Sequence, residues 1–237
     1  MNMIELSKYL QDEQAAENYL YEKGILKNFT TCPHCGSDKL GNLSRSRIKC
    51  YKCKKEWNKR KGSFLEGKHV SYSKFIGLLK LFNEDYGFTE ISRELILDRK
   101  TTQEILSEML ALLLDANNIQ ITNLEQPSIL LLDKAKQIVL CSKENFQVID
   151  NKSYIELSFD RYKGTGGLYS FMINAKFVGN QKDKLALNNF LGFSKMRLIS
   201  FRGIKSEKLF QYLSETIIRF NLRESSFNDY LLKILSK

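Results

Sequence analysis

Two Cys-x2-Cys pairs, Cys32/Cys35 and Cys50/Cys53, constrain this chain more than any other feature. They lie in TTCPHCGSDKLGNLSRSRIKCYKCKKEW, with fourteen residues between the pairs. Each pair is a tight turn that aims two thiolates at one point, and the interval suits a short hairpin that folds the second turn back onto the first. That spacing predicts a tetrahedral structural zinc site. Four thiolates fill the coordination sphere, so the Zn2+ would build structure and activate no water. The fifth cysteine, Cys141, sits in an apolar run and reads as a buried small hydrophobe. His34 decorates the first turn, and His69 has no paired ligand nearby.

A disulfide framework is the competing reading. The opening MNMIELSKYLQDEQAAENYL is amphipathic and too polar for the core of a secretory signal, and no apolar run is long enough to span a membrane. The expected setting is therefore reducing and cytoplasmic (nucleoid-associated in a bacterium), which favours metal over disulfide. Arg45, Arg47, Lys49, Lys52, Lys54, Lys55, Lys59, Arg60 and Lys61 crowd the same module. With a net charge of +10 over 237 residues, they point to a polyanion, DNA or RNA, as partner. A membrane surface is disfavoured, because no isolated basic amphipathic helix accompanies the charge.

Along the chain, a helix is expected over residues 3–24, with Gly24 as its stop. The zinc module follows, with Trp57 and Phe64 capping a core too small to stand without metal. Residues 71–116 read as three helices. The first starts at Ser71 or Ser73 and ends at Asp85-Tyr86-Gly87; the other two join near Leu97-Asp98-Arg99. Thr101 and Glu104 form a capping-box pattern for the last helix. Short helix, turn and longer helix is a helix-turn-helix layout, in which Arg99, Lys100, Thr101, Thr102 and Gln103 would meet DNA. A three-helix linker without DNA contact fits the same pattern. ILLLD, QIVLC, FQVI and YIELSFD then read as strands, followed by helices near 183–200, 206–221 and 225–236, with caps at Ser206 and Ser225. The glycine run KGTGGL lacks the Lys-Ser/Thr ending of a phosphate loop.

In order, CPHCGS, IKCYKCKKEW, GSFLEGKHVSYSKFIGLLKLF, FDRYKGTGGL and FLGFSKMRLISFRGIKSEKLFQYLSETIIRFNLRE resemble the zinc-ribbon transposases of bacterial insertion sequences, the group related to eukaryotic Merlin elements. The resemblance covers most of the chain. It implies an α+β fold with four parts: an N-terminal helix (1–27), a zinc ribbon (28–66), a helix-turn-helix-like domain (67–122) and a shortened RNase H-like α/β domain (123–237). It also implies DNA strand cleavage and transfer, with three acids holding two Mg2+ ions, and assembly as a homo-oligomer.

Carried over, the first acid is Asp133, ending ILLLD, and the second is Asp160, ending YIELSFD. Asn188 stands where the family has a glutamate, which removes one negative charge from the metal set. The interval is a second departure. An RNase H-like core sets the second acid's strand parallel beside the first, across a connection of about a dozen residues or more. Here only Asp150 to Ser153 separate FQVI from YIELSFD, a link that suits a hairpin. Arg219, Asn221 and Arg223 resemble a family element, with a solvated helix face as the plainer reading. The alternative to an enzyme is a catalytically inactive relative that binds DNA as a regulator or accessory factor. A zinc-ribbon transcription factor or RNA-binding protein without transposase ancestry is a third reading.

Overall fold

In the computed structural model, which describes residues 2–44, 46–117, 128–132, 138–141, 154–163, 169–179, 181–200, 206–223 and 225–236, the N-terminal segment folds as two helices where one was expected. α1 (Met3–Gln11) and α2 (Glu13–Glu22) are divided at Asp12, whose backbone is extended (φ −127°, ψ 105°). Its carboxylate accepts the N–H groups of Gln14 and Ala15, at 2.9 and 3.1 Å. A short acidic side chain that satisfies the next helix's first donors favours such a break. Gly24 does stop α2: its φ is +71°, its N–H bonds Tyr21 O, and the N–H of Ile25 reaches back to Leu20 O.

The helical part of the first unit is built on α3 (Tyr72–Asn83), which buries Phe75, Ile76, Leu78, Leu79 and Phe82 and packs against α1 and α2. Ser71 caps it through Lys74 N–H. Glu13 of α2 adds a long-range cap, accepting the N–H groups of Tyr72 and Ser73 at 2.6 and 3.0 Å. Next come α4 (Phe88–Glu94) and α5 (Arg99–Ala116). The expected capping box at Thr101 is displaced. Asp98 accepts the N–H of Thr101 at 3.0 Å, so the cap lies three residues earlier and α5 starts at Arg99, and that hydrogen bond holds the Asp98 carboxyl below its usual range. A carboxylate at the positive end of a helix outcompetes a hydroxyl.

The α4–α5 turn contains Ile96, a β-branched residue at φ +50° and 85% exposed. That backbone region costs a non-glycine residue about 1–2 kcal/mol, and an exposed side chain recovers little of it by packing. Ile96→Gly is expected to stabilise the protein by about 0.5–1 kcal/mol after glycine's extra unfolded-state entropy is subtracted. Urea denaturation measures it, and a destabilised variant would contradict the argument.

The cysteine module is a meander of β1 (Leu40–Leu43), β2 (Arg47–Cys50) and β3 (Glu56–Asn58), paired antiparallel in that order. Trp57 joins its small core, with Cys32, Ile48 and Cys50. Phe64 does not: its ring lies 5.7 Å from that of Phe75, in the helical core. The first unit comprises Met1–Leu112 together with Asn228–Lys237, so most of the last helix, α8 (Phe227–Leu235), belongs to it. α8 begins at Phe227, two residues after Ser225, whose hydroxyl donates to Leu222 O at 3.1 Å.

The second unit, Leu113–Phe227, holds β4 (Ser128–Leu132), β5 (Ile138–Cys141), β6 (Tyr154–Lys163) and β7 (Tyr169–Val178). They form one sheet in the order β5-β4-β6-β7, and every pairing is antiparallel. An RNase H-like arrangement sets the second acid's strand parallel beside the first; β6 does lie beside β4 but runs antiparallel to it. β7 is a strand that the sequence reading did not propose, and FQVI lies outside the described residues. α6 (Gln181–Ser200) packs on β7 and α7 (Ser206–Asn221) on β5. Leu187, Phe190, Leu213, Ile217 and Phe220 form their core with Ile138 and Leu157. No helix among the described residues is long and apolar enough to cross a membrane.

Candidate metal centre and nucleic-acid surface

The two cysteine turns have one geometry. Gly36 N–H bonds Cys32 O and Cys32 N–H bonds Ser37 O, at 2.9 and 2.8 Å. In the second turn Lys54 N–H bonds Cys50 O and Cys50 N–H bonds Lys55 O, both at 2.9 Å. Each turn reverses at a left-handed residue, Gly36 at φ +69° and Lys54 at φ +63°. β2 delivers Cys50 to the base of the first turn, and the four sulfurs converge.

Cys32 Sγ lies 3.6 Å from Cys53 Sγ and Cys35 Sγ lies 3.7 Å from Cys50 Sγ, and all four sulfurs are within 4.8 Å of one another. A disulfide needs about 2.05 Å. Four thiolates around a zinc ion, each at about 2.3 Å, stand about 3.8 Å apart. The cluster is therefore compatible with a structural zinc site. Backbone N–H groups of Cys53 and Lys52 hold the Cys50 thiol down to about 6. At Cys35 the Ser37 N–H favours the thiolate, but desolvation and the sulfurs of Cys53, Cys50 and Cys32 outweigh it and push the thiol up to about 11. Four sulfurs this close cannot all carry charge without a cation among them.

Between Lys39 and Lys61 the chain has ten Lys and Arg residues against one acid, Glu56, so this segment accounts for +9 of the net +10. The fold sorts these cations into two groups. Lys52, Lys54 and Lys55 on the second turn are exposed and have no ion pair among the described residues. Arg47 and Lys49 on β2 share Glu56 across the strand pair, at 3.2 and 3.1 Å, in partly exposed pairs. Lys61 is half-buried. Lys59 and Arg60 are half-buried and engaged by other parts of the fold. Lys59 pairs with buried Glu17 of α2 at 2.7 Å. Arg60 donates to the carbonyls of Lys68 and Val70, both at 2.7 Å, and lies over the Tyr72 ring. Arg45 lies outside the described residues. His34 is exposed, and its pKa is lowered by desolvation and by the nearby Lys61 and Lys55.

On α5, Arg99, Lys100 and Gln103 are exposed on the first turn, and Thr101 is half-buried. Thr102 is fully buried, with its hydroxyl donating to Asp98 O at 2.9 Å, so it faces the core and not a groove.

Of the residues expected to bind Mg2+, Asp133 lies outside the described residues. Asp160 lies on β6, opposite Met172 of β7. Asn188 is exposed on α6.

The sequence reading missed a buried ionic cluster. Glu215 on α7 takes Arg197 Nη2 of α6 at 2.6 Å and Arg219 Nε at 2.8 Å. Arg219 also lies over the Phe227 ring, and Asn221 bonds both N–H and C=O of Ile138 at 2.8 and 2.9 Å. Arg219 and Asn221 thus lie against other elements of the fold, which corrects the reading of a solvated face. The i, i+4 spacing of Glu215 and Arg219 was the available signal. The chain matches no protein-family model, no curated protein and no solved structure.

Proposed function

We propose that this chain is a DNA-binding protein of transposase-like organisation, in which a zinc ribbon and the α4–α5 helix pair contact DNA. One observation carries the reading: a four-cysteine cluster of zinc-site dimensions includes Cys50 and Cys53, and the exposed Lys52, Lys54 and Lys55 stand on the same turn. When bound, Zn2+ fastens the two cysteine turns to each other. The chain's own residues do the rest. The lysines meet phosphates, while the Lys59–Glu17 pair and the Arg60 hydrogen bonds brace the ribbon against the helices. Arg99, Lys100 and Gln103 offer a second contact at the start of α5, in the manner of a recognition helix.

Fluorescence anisotropy with a labelled DNA duplex over a salt series tests this reading. Affinity is expected to fall steeply with salt. Lys52→Gln/Lys54→Gln/Lys55→Gln is expected to flatten the log–log slope by roughly two to three, at about 0.9 for each phosphate that is no longer neutralised. A flat salt response in the parent protein would rule out phosphate binding by these lysines.

An RNase H-like core cutting DNA with Mg2+ at Asp133, Asp160 and Asn188 is the second reading, and the resemblance favours it. The antiparallel β4–β6 register favours binding without cleavage. The two part on one assay: Mg2+-dependent nicking of DNA by the protein, abolished in Asp160→Ala, would establish the enzyme.

A further inference from the structure

Tyr51 lies between the two metal-ligating positions of the second cysteine turn and is 51% exposed. A buried role does not account for it, since the ribbon core is filled by Cys32, Ile48, Cys50 and Trp57. Its backbone and its ring nonetheless have defined neighbours. Tyr51 N–H bonds Lys39 O at 2.9 Å, and the phenol end of the ring lies against Gly41 of β1. A Cβ at position 41 would come 2.4 Å from Tyr51 Oη and 2.6 Å from Cε2, so only glycine admits the ring there. The ring is thus held against the sheet with half its surface open. Around it in sequence stand Lys52, Lys54 and Lys55, all exposed, and Lys39, whose carbonyl holds it, is exposed as well.

We propose that Tyr51 is a stacking platform for an unpaired base, so that the ribbon binds single-stranded nucleic acid, or a melted stretch of DNA, in preference to intact duplex. The inference rests on the nucleic-acid reading above and makes it specific. Lysines satisfy phosphates on any nucleic acid, but an exposed aromatic ring backed by the sheet and flanked by them adds nothing on a duplex, whose base faces are already stacked. On a single strand it offers what the strand lacks, a π-surface within reach of its phosphate contacts. A ring placed in advance loses little side-chain freedom on binding.

The test uses the 237-residue, metal-loaded chain and three labelled probes of equal length: oligo-dT, oligo-U and a DNA duplex. Tyr51→Ala is expected to weaken oligo-dT binding roughly tenfold, the scale of one aromatic stack, while leaving duplex binding within twofold. Tyr51→Phe should keep the parent affinity. Gly41→Ala, which must displace the ring, should reproduce the loss. Tyr51→Trp adds a fluorophore to a chain whose single tryptophan, Trp57, is buried, and its emission should be quenched by oligo-dT. The oligo-U arm distinguishes RNA from DNA as the natural source. Oligo-dT and duplex affinities that fall equally in Tyr51→Ala, or do not change, overturn the platform while leaving DNA binding intact. Failure of the parent protein to bind any probe overturns both readings.

Discussion

A strong chelator is expected to shift the emission of Trp57 to the red, and added Zn2+ to restore it. Trp57 is the only tryptophan and is 6% exposed, so it reports the ribbon alone. The strands around it have three or four residues each, and the buried core is Cys32, Ile48, Cys50 and Trp57. Burying a few such side chains at about 1.5–3 kcal/mol each does not offset about 1–2 kcal/mol of backbone entropy for every residue ordered. Structural zinc supplies about 10–16 kcal/mol in modules of this kind. Two of the buried residues, Cys32 and Cys50, belong to the cysteine cluster, so without a cation the core would hold thiols where a zinc site needs thiolates. Far-UV circular dichroism should change little, because Phe75, Ile76, Leu78 and Leu79 pack in a helical core that does not include them. Cys50→Ser should behave like the chelated protein, and Cys141→Ser should keep one zinc per chain. A Trp57 spectrum indifferent to chelation would sink the metal-built ribbon.

Local rules reached the cysteine module and most of the helices, and they failed where a distant partner decides. The start of α3 at Ser71 and the stop of α2 at Gly24 follow from single residues with strong local chemistry. The Asp12 break and the Asp98 cap are equally local. They were passed over because the apolar stripe runs through Asp12, and because Thr101 with Glu104 fits a known pattern. β7 was legible too: in YSFMINAKFV, Tyr169, Phe171, Ile173, Ala175 and Phe177 alternate with the other residues. Strand direction is different. Nothing within YIELSFD says whether it runs with or against ILLLD; only the four residues between FQVI and YIELSFD, too few for a parallel crossover, hinted at the outcome.

The charged residues make the same point. Lys54, Lys55, Lys59 and Arg60 look alike in one basic run. Lys59 is withdrawn from solvent by Glu17, 42 residues away, and Arg60 by the carbonyls of Lys68 and Val70, while Lys54 and Lys55 find no such partner among the described residues. A basic run therefore shows where positive charge is concentrated but not which cations stay exposed. Thr102 shows the same limit on a helix, since its place at the α5 N-terminus suggested a groove and its burial put it in the core.

Glu215→Ala is expected to destabilise the second unit by about 3–5 kcal/mol, the penalty for leaving a buried ion-pair partner uncompensated. Two guanidinium groups share this carboxylate, from Arg197 and Arg219, and all three side chains are buried. Burial alone would raise the Glu215 pKa, but the charges of Arg197 and Arg219 override it and hold the carboxyl below its usual range. The sign of the pH dependence follows. A lowered folded-state pKa means the unfolded chain takes up the proton first, so the stabilisation is complete above the ordinary glutamate range and drains away as pH falls through the lower, folded value. Urea midpoints should therefore drop on acidification in the parent protein, and this part of the drop should vanish in Glu215→Ala. The cluster's net worth is another matter, because desolvating three charges is itself costly. Replacing all three together, as Arg197→Met/Glu215→Leu/Arg219→Met, should cost far less than Glu215→Ala and could leave stability unchanged. A triple variant that loses more than the single one would mean that these side chains hold the fold by their hydrogen bonds, chiefly Arg197 to Thr216 at 2.6 Å, and not by mutual charge compensation.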